Sequence, residues 1–169
     1  MRAPVISLLC LCLVACQPAC RLPDQPLPSQ PPSHLVATNA QVHLSATDAG
    51  TVAADIIQHV IDLGGCVEDN SDDGATRRLE LRLPADHFET LMPFLLQGGW
   101  EVSYVNVWGQ ELSDQYATMH DEALALQAAL PNQPWLQRFA TRRRISDLQD
   151  EMAYRLQRAA WATVVVHIQ

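Results

Sequence analysis

Hydrophobic residues recur at two different periods along the chain, and the changes of period predict the first elements of the fold. Over residues 36–44 apolar and polar positions alternate, as in a strand with one buried face. The following apolar residues share one stripe of a helix that begins near Thr47 or Asp48 and ends at Gly64-Gly65. A strand followed by an amphipathic helix is therefore expected first.

The pattern then continues as strand, strand, helix and strand. Residues 66–70 and 78–83 predict the two strands of a hairpin. Residues 84–99 predict a helix that Pro93 should kink, and 100–108 predict a fourth strand. The order β-α-β-β-α-β predicts an α+β fold, specifically a ferredoxin-like sandwich with two helices on one face of an antiparallel sheet.

The last third of the chain has apolar residues spaced by three and four, which is typical of a coiled-coil seam. The seam positions are Leu112, Tyr116, Met119, Ala123, Leu126 and Leu130, then Ile145, Leu148, Met152 and Ala159. The break at 131–134 predicts an antiparallel helical hairpin within residues 111–160. The apolar run 161–168 predicts a fifth, C-terminal strand, which we expect to lie antiparallel beside the fourth.

The first residues contain an apolar stretch, 5–15, that is too short to span a bilayer and ends in Leu13-Val14-Ala15 directly before Cys16. This ending resembles the lipobox of bacterial lipoproteins. By this resemblance, 1–15 is a signal peptide, and Cys16 becomes the first mature residue and carries fatty acyl chains such as palmitate. Two or more chains give stable anchoring. A plain exported protein and an uncleaved anchor are the alternatives.

Six prolines fall between residues 17 and 34, so 16–34 is expected to be an extended tether and 35–169 a single domain. Gln17 after the cysteine favours, by the same resemblance, an outer membrane facing the periplasm if the source has one. Otherwise the outer face of the cytoplasmic membrane is expected. Cys20 and Cys66 either form a disulfide between tether and domain or remain two separate thiols.

The charge balance argues against nucleic acid as a partner. Eleven basic residues, all of them Arg, stand against 19 acidic ones, for a net charge of −8. Nucleic-acid binders depend on neutralising phosphates, which an acidic chain does poorly. Two kinds of partner are still expected. One is a membrane, reached through the lipid, and the other is a protein, which includes a second copy of this chain.

No catalytic, metal or cofactor site is expected. Nucleophile elbows and phosphate loops do not occur in the sequence. Residues 69–80 match the donor spacing of an EF-hand calcium loop, but a helix ends just before them and Glu80 lies in an alternating strand, so an acidic hairpin tip is favoured. His43 and His167 fall on strands that could bring them together, yet zinc needs three or four ligands.

Two groups of residues are candidates for a partner surface. Trp100, Tyr104 and Trp108 share one face of the predicted fourth strand, an aromatic composition typical of interfaces. Burial in the core or under the hairpin is the alternative for them. The second group is the basic run Arg142, Arg143 and Arg144, which is either a solvated helix face or a contact for anionic groups.

Three stretches together resemble a known bacterial envelope family, domain of unknown function 4349. They are 64–68, 79–85 and 160–166, and the resemblance extends over residues 35–169. It implies an α/β domain with a helical hairpin before the last strand, in lipoproteins or membrane-anchored proteins, and it implies no active site. We therefore expect a lipid-anchored protein-interaction module of the cell envelope rather than an enzyme. An extracytoplasmic small-ligand sensor and an envelope hydrolase are the alternatives.

Overall fold

The computed structural model describes residues 28–169, so the predicted signal peptide, Cys16, Cys20 and most of the tether lie outside the described residues. The domain has a mixed α+β fold. Its strands are β1 (Val36–Ser45), β2 (Cys66–Asp72), β3 (Arg77–Pro84), β4 (Glu101–Glu111) and β5 (Trp161–Ile168). Its helices are α1 (Ala49–Asp62), α2 (Phe88–Gln97), α3 (Ser113–Ala129) and α4 (Trp135–Ala160).

Local chemistry explains where α1 begins and ends. The Asp48 carboxylate accepts hydrogen bonds from the backbone N–H groups of Gly50 and Thr51, and so caps the helix N-terminus. These hydrogen bonds hold the pKa of Asp48 below its ordinary value. At the other end Gly64 takes a φ of 75°, a conformation that glycine adopts without strain. Both boundaries follow the sequence prediction.

The five strands form one mixed sheet in the order β2-β3-β5-β1-β4. The expectation that β5 lies antiparallel beside β4 is wrong. Instead β5 is the central strand, parallel to β1 and antiparallel to β3. All residues of β5 are buried or half-buried, which explains why its sequence is an almost continuous apolar run rather than an alternating one.

The main core lies between the sheet and helices α1 and α2. From the sheet it contains Val42 and its neighbours on β1, Leu79, Leu81 and Leu83 on β3, and Val164 and Val166 on β5. From the helices it contains Ile56, Val60, Leu91 and Leu95. Each of these side chains is essentially inaccessible to water, so burial of apolar surface stabilises this layer strongly.

The hairpin α3–α4 carries the chain across β1 from one neighbouring strand to the other. β4 ends opposite Val36, at the start of β1. β5 begins on the other side of β1, beside the residues that directly follow Val36. The two ends are therefore about 10 Å apart, two strand spacings. A second, smaller core on the other face of the sheet joins the hairpin base to β1; it includes Leu35, Ala37, Leu112, Tyr116, Leu148 and Met152.

Helices α3 and α4 are antiparallel, as predicted. Glu122 pairs with Arg144, and Gln115, earlier in α3, pairs with Arg155, later in α4. The turn between them contains a short 3-10 helix, Leu130–Asn132, and Pro134 directly precedes α4. At 1.5 Å per residue, the 26 residues of α4 extend over about 39 Å.

Candidate functional site

The tip of the helical hairpin exposes three large apolar side chains. Trp135, Leu136 and Phe139 are 67%, 65% and 64% exposed, and we call them the hairpin tip. The Trp135 and Phe139 rings meet edge to face, with centroids 6.2 Å apart. Single exposed apolar side chains are common on protein surfaces, whereas a group of large ones at the end of a projecting element is a candidate contact surface.

Sequence reasoning missed the hairpin tip, although a signal was present. Continuing the seam back from Ile145 in steps of four and three leads to Thr141 and Arg138. Trp135, Leu136 and Phe139 are therefore off the seam and cannot face α3. Apolar residues that leave a seam are exposed unless another element covers them.

Two predicted arginines extend the outer surface of the hairpin beyond its tip. Arg142 and Arg143 follow Trp135 by seven and eight positions, which places them on the same side of α4. Both are exposed, and neither has an ion-pair partner within residues 28–169. The outer face of α4 thus combines aromatic surface with uncompensated positive charge.

Arg144 and Arg138 have structural contacts instead. Arg144 donates through Nε and Nη2 to the two carboxylate oxygens of Glu122, at 2.8 and 3.1 Å, and so ties α4 to α3. The Glu122 contact also raises the pKa of Arg144. Arg138 donates to the backbone carbonyls of Gln133 and Pro131, which fixes the turn. The three consecutive arginines therefore have two different roles. Arg142 and Arg143 are exposed on the outer face of α4, whereas Arg144 joins α4 to α3.

The base of the hairpin is anchored by Tyr116, whose side chain is fully buried. Burial raises the pKa of its hydroxyl. That hydroxyl has no hydrogen-bond partner among the described protein groups. Next to it, the backbone N–H of Leu35 donates to the Ser113 hydroxyl at 2.7 Å, and the N–H of Leu112 donates to the Leu35 carbonyl at 2.8 Å. The hairpin is thus joined to the sheet through β1.

A second cluster lies on the sheet face opposite α1 and α2. His43 and His167 are register partners on β1 and β5, with ring centroids 4.6 Å apart, and Tyr104 lies edge-on to His43 at 5.2 Å. The Gln41 amide nitrogen is 3.1 Å from His43 Nε2 and 3.4 Å from His167 Nε2. Since that NH₂ group only donates, both imidazoles accept at Nε2. We call these four residues the sheet-face cluster.

Burial, the His43 imidazole and the Arg78 guanidinium together lower the pKa of His167. Protonating His167 would place a positive charge in a partly buried site beside other basic groups. His167 is therefore neutral at pH 7. Within the described residues no group of three or more His, Cys, Asp or Glu side chains is arranged to hold a metal ion.

The predicted aromatic face of β4 is interrupted by a β-bulge. His43 pairs with Tyr104 but Leu44 pairs with Val102, so Ser103 is an extra residue on β4. The bulge reverses the alternation, so the expectation that Trp100 shares a face with Tyr104 and Trp108 is wrong. Trp100 packs against the main core and donates from Nε1 to the Leu95 carbonyl at 2.6 Å.

Tyr104 and Trp108 do lie on the face that α1 and α2 leave open, and are 47% and 44% exposed. Val105 and Val107 point to the helix side, in register with Val42 and Ala40. They are nevertheless 38% and 48% exposed, since α1 and α2 do not cover the edge strand.

The acidic segment 69–80 forms a β-hairpin, not a helix–loop–helix. Asp72 and Asp73 accept hydrogen bonds from backbone N–H groups of their own turn. Asp69 and Glu80 both pair with Arg78. Their oxygens are thus directed to internal partners rather than to a common centre.

Cys66 begins β2 and is disulfide-bonded. The partner expected from the sequence, Cys20, lies outside the described residues, as does the lipid attachment residue Cys16. The Cys20–Cys66 pairing and the acylation of Cys16 therefore stay predictions. None of the helices within residues 28–169 combines the length and apolar character needed to cross a membrane.

Comparison with known proteins gives one match. A family model described as domain of unknown function (DUF4349) matches residues 34–131, more than half of the chain. The chain belongs to this family. The match begins just before β1 and ends in the turn between α3 and α4, so it is narrower than the expected 35–169. No curated protein and no solved structure matches the chain.

Proposed function

We propose that this protein is a lipid-anchored interaction module of the bacterial cell envelope, which contacts another envelope protein through the outer face of its helical hairpin. The observation that carries the proposal is the hairpin tip, where Trp135, Leu136 and Phe139 are about two-thirds exposed. Buried aromatic anchors dominate the energetics of most protein interfaces.

Charge supports an acidic surface on the partner. Arg142 and Arg143 continue the hairpin tip along α4 and form no ion pair with any of residues 28–169, whereas the chain as a whole has a net charge of −8. A local basic patch on an acidic protein steers a partner of opposite sign to one place on the surface.

The N-terminal region supplies the anchor in this proposal. Acyl chains on Cys16 would hold the protein to the membrane, and the proline-rich residues 16–34 would space the domain from it by up to about 50 Å. Replacing Cys16 with Ala should leave the domain folded and release the protein from membranes. A Cys16→Ala protein that still sediments with membranes after a carbonate wash would contradict the lipid anchor.

The contact itself is tested by photo-crosslinking in native membranes. A photoreactive phenylalanine analogue at position 139 should give one discrete protein adduct, because this side chain lies at the hairpin tip. The matched control is the same analogue at Tyr154, which is 53% exposed on the same helix but near the hairpin base. The Arg142→Glu/Arg143→Glu double variant should lose most of the adduct from position 139.

Two results would overturn the proposal. One is an adduct from position 139 that contains lipid only, which would assign the tip to a membrane surface. The other is equal adduct formation from positions 139 and 154. The proposal assigns the protein no catalytic role.

Small-ligand sensing is the second candidate, and the sheet-face cluster favours it. His43, His167, Gln41 and Tyr104 converge on one patch of the open sheet face. Two imidazoles, an amide and a phenol together suit a polar ligand that both donates and accepts hydrogen bonds. Ligand-dependent changes at the His43 and His167 ring resonances in NMR titrations, absent in a Gln41→Ala variant, would support it.

We further propose that the fold is a ferredoxin-like sandwich into which β5 has been inserted. Without β5 the remaining strands have the order β2-β3-β1-β4, with α1 and α2 on one face. A solved relative that lacks the hairpin and β5, and in which β1 and β3 pair directly, would support this description.

A further inference from the structure

The two edges of the sheet differ in chemistry. β2, at one edge, has seven residues and carries Glu68, Asp69 and Asp72. Asp69 and Glu68 are paired with arginines of β3. Charged side chains and a bulge along an edge discourage pairing with a further strand, and β2 has both. This edge is therefore protected.

β4, at the other edge, also has a bulge, at Ser103, but it carries no charged side chain between its two ends. It has eleven residues, with charges only at its ends, Glu101 and Glu111, and no proline. Within residues 28–169 no strand pairs with its outer side, so its outward backbone N–H and C=O groups are available. Apolar side chains are exposed on both of its faces: Tyr104 and Trp108 on one, Val105 and Val107 on the other.

We propose that β4 pairs antiparallel with β4 of a second copy of this chain, which joins the two sheets into one of ten strands. With Asn106 on the twofold axis, Tyr104 lies opposite Trp108 of the second copy and Val105 lies opposite its Val107. Aromatic pairs and β-branched pairs directly opposite each other stabilise antiparallel strands. A self-complementary surface of this kind is what a twofold dimer requires.

Neither the bulge nor the hairpin obstructs this pairing of the two β4 strands. Ser103, the extra residue, lies just outside the segment 104–108, so side chains within that segment alternate regularly. The hairpin base packs on Leu35 and Ala37 at the start of β1, and the outer side of β4 is not covered by it.

A second copy of the chain suits the open edge of β4 better than the chain's own tether does. Six prolines occur between residues 17 and 34. Proline has no N–H to donate to a strand ladder and is therefore a poor partner for an open edge. β4 itself offers an uncharged segment whose exposed side chains match their symmetry mates.

Electrostatics oppose the dimer in a way that can be measured. In the proposed register Glu101 lies near Glu111 of the second copy, one position from direct opposition because of the bulge at Ser103, and each chain has a net charge of −8. Like charges opposite each other weaken strand pairing, and salt screens them. Association should therefore strengthen with added salt and in the Glu101→Gln variant.

The association is tested by analytical ultracentrifugation of the full chain in detergent over a range of concentrations. We expect a monomer–dimer equilibrium. The Val105→Lys/Val107→Lys variant should weaken it by about tenfold or more, because lysines would then face each other across the axis. The matched control, Leu124→Lys, changes a 50% exposed residue on the hairpin and should leave the equilibrium unchanged. Circular dichroism verifies that each variant is folded.

The register is tested by oxidative crosslinking. Asn106→Cys should form a disulfide with the same residue of the second copy, whereas Asn70→Cys on the β2 edge should not. A wild-type chain that is monomeric at every concentration, a lysine variant that associates normally, or equal crosslinking from both positions would overturn the proposal. The proposed dimer does not involve the hairpin tip, so Phe139→Ser should leave it intact. The dimer and the proposed hairpin-tip contact can therefore be refuted independently of each other.

Discussion

The main core and the hairpin differ in how completely they bury their apolar residues. On β3 and β5 every inward-facing apolar side chain is inaccessible to water, since the sheet is closed by α1 and α2. Of the 26 residues of α4, only Ile145, Leu148 and Met152 are buried. The closely packed main core holds the sheet and its helices in one arrangement. The hairpin buries only a narrow seam between its two helices, so most of its surface is available for contacts.

Among the variants that test this difference between the main core and the hairpin, removal of β5 should have the largest effect on folding. A chain ending before Trp161 lacks the central strand, so β1 and β3 lose a neighbour on one side and the main core loses Val164 and Val166. We expect no cooperative thermal unfolding transition by circular dichroism. A cooperative transition in the truncated protein would show that the main core is complete without β5.

The reciprocal variant replaces the hairpin, residues 113–160, with a flexible linker of about eight residues. The gap from β4 to β5 is about 10 Å, well within the reach of such a linker at about 3.3 Å per residue. We expect the sheet to remain folded and to unfold cooperatively, though less stably because Leu35 and Ala37 lose their cover. Failure of this variant to fold would make the hairpin part of the core.

Single truncations should rank the two cores. Leu81→Ala, in the middle of the sheet, should lower the free energy of unfolding by about 4 kcal/mol, because its neighbours on all sides are fixed. Leu148→Ala, in the hairpin seam, should cost about 2 kcal/mol, since the helices can relax toward each other. Urea denaturation measures both, and equal costs would contradict the proposed difference in packing.

Tyr116 should respond to the loss of its ring but hardly to the loss of its hydroxyl. The ring fills the hairpin base, and the hydroxyl has no hydrogen-bond partner in the part of the chain that the structure describes. Tyr116→Phe should therefore change stability by less than about 1 kcal/mol, whereas Tyr116→Ala should cost about 3 kcal/mol. A large loss in Tyr116→Phe would mean that the hydroxyl is bound in solution.

The smallest expected effect is a pH dependence at His167. Its pKa in the folded protein is below the ordinary value of about 6.5. The unfolded chain therefore takes up its proton at higher pH than the folded one, and stability falls as pH drops from about 6.5 through the folded pKa. His167→Gln should reduce this acid sensitivity in thermal melts recorded between pH 7 and pH 5.

Much of the fold was predictable because it depends on short-range rules. The Asp48 cap, the turn at Gly64 and the antiparallel helices all follow from neighbouring residues. The position of β5 was predicted wrongly because strand order depends on contacts distant in sequence. A signal existed in 161–168, since a strand apolar on both faces belongs at the centre of a sheet.

The candidate sites divide in the same way. The sequence raised proximity of His43 and His167 only as a possibility, and the position of β5 beside β1 is what places them in register. The separation of Trp100 from Tyr104 and Trp108 could not be foreseen, because the bulge at Ser103 depends on how β4 meets β1. The hairpin tip was detectable only as a departure from the seam.

The sequence by itself determined the kind and approximate extent of each element, since helix period, strand alternation and capping act within a few residues. Only the tertiary structure decided that β5 enters between β1 and β3, that α1 and α2 leave β4 uncovered, and that Trp135, Leu136 and Phe139 are exposed at the end of the hairpin. Those outcomes depend on which surfaces meet, and burial between distant segments is a property of the packed chain rather than of any one stretch of it.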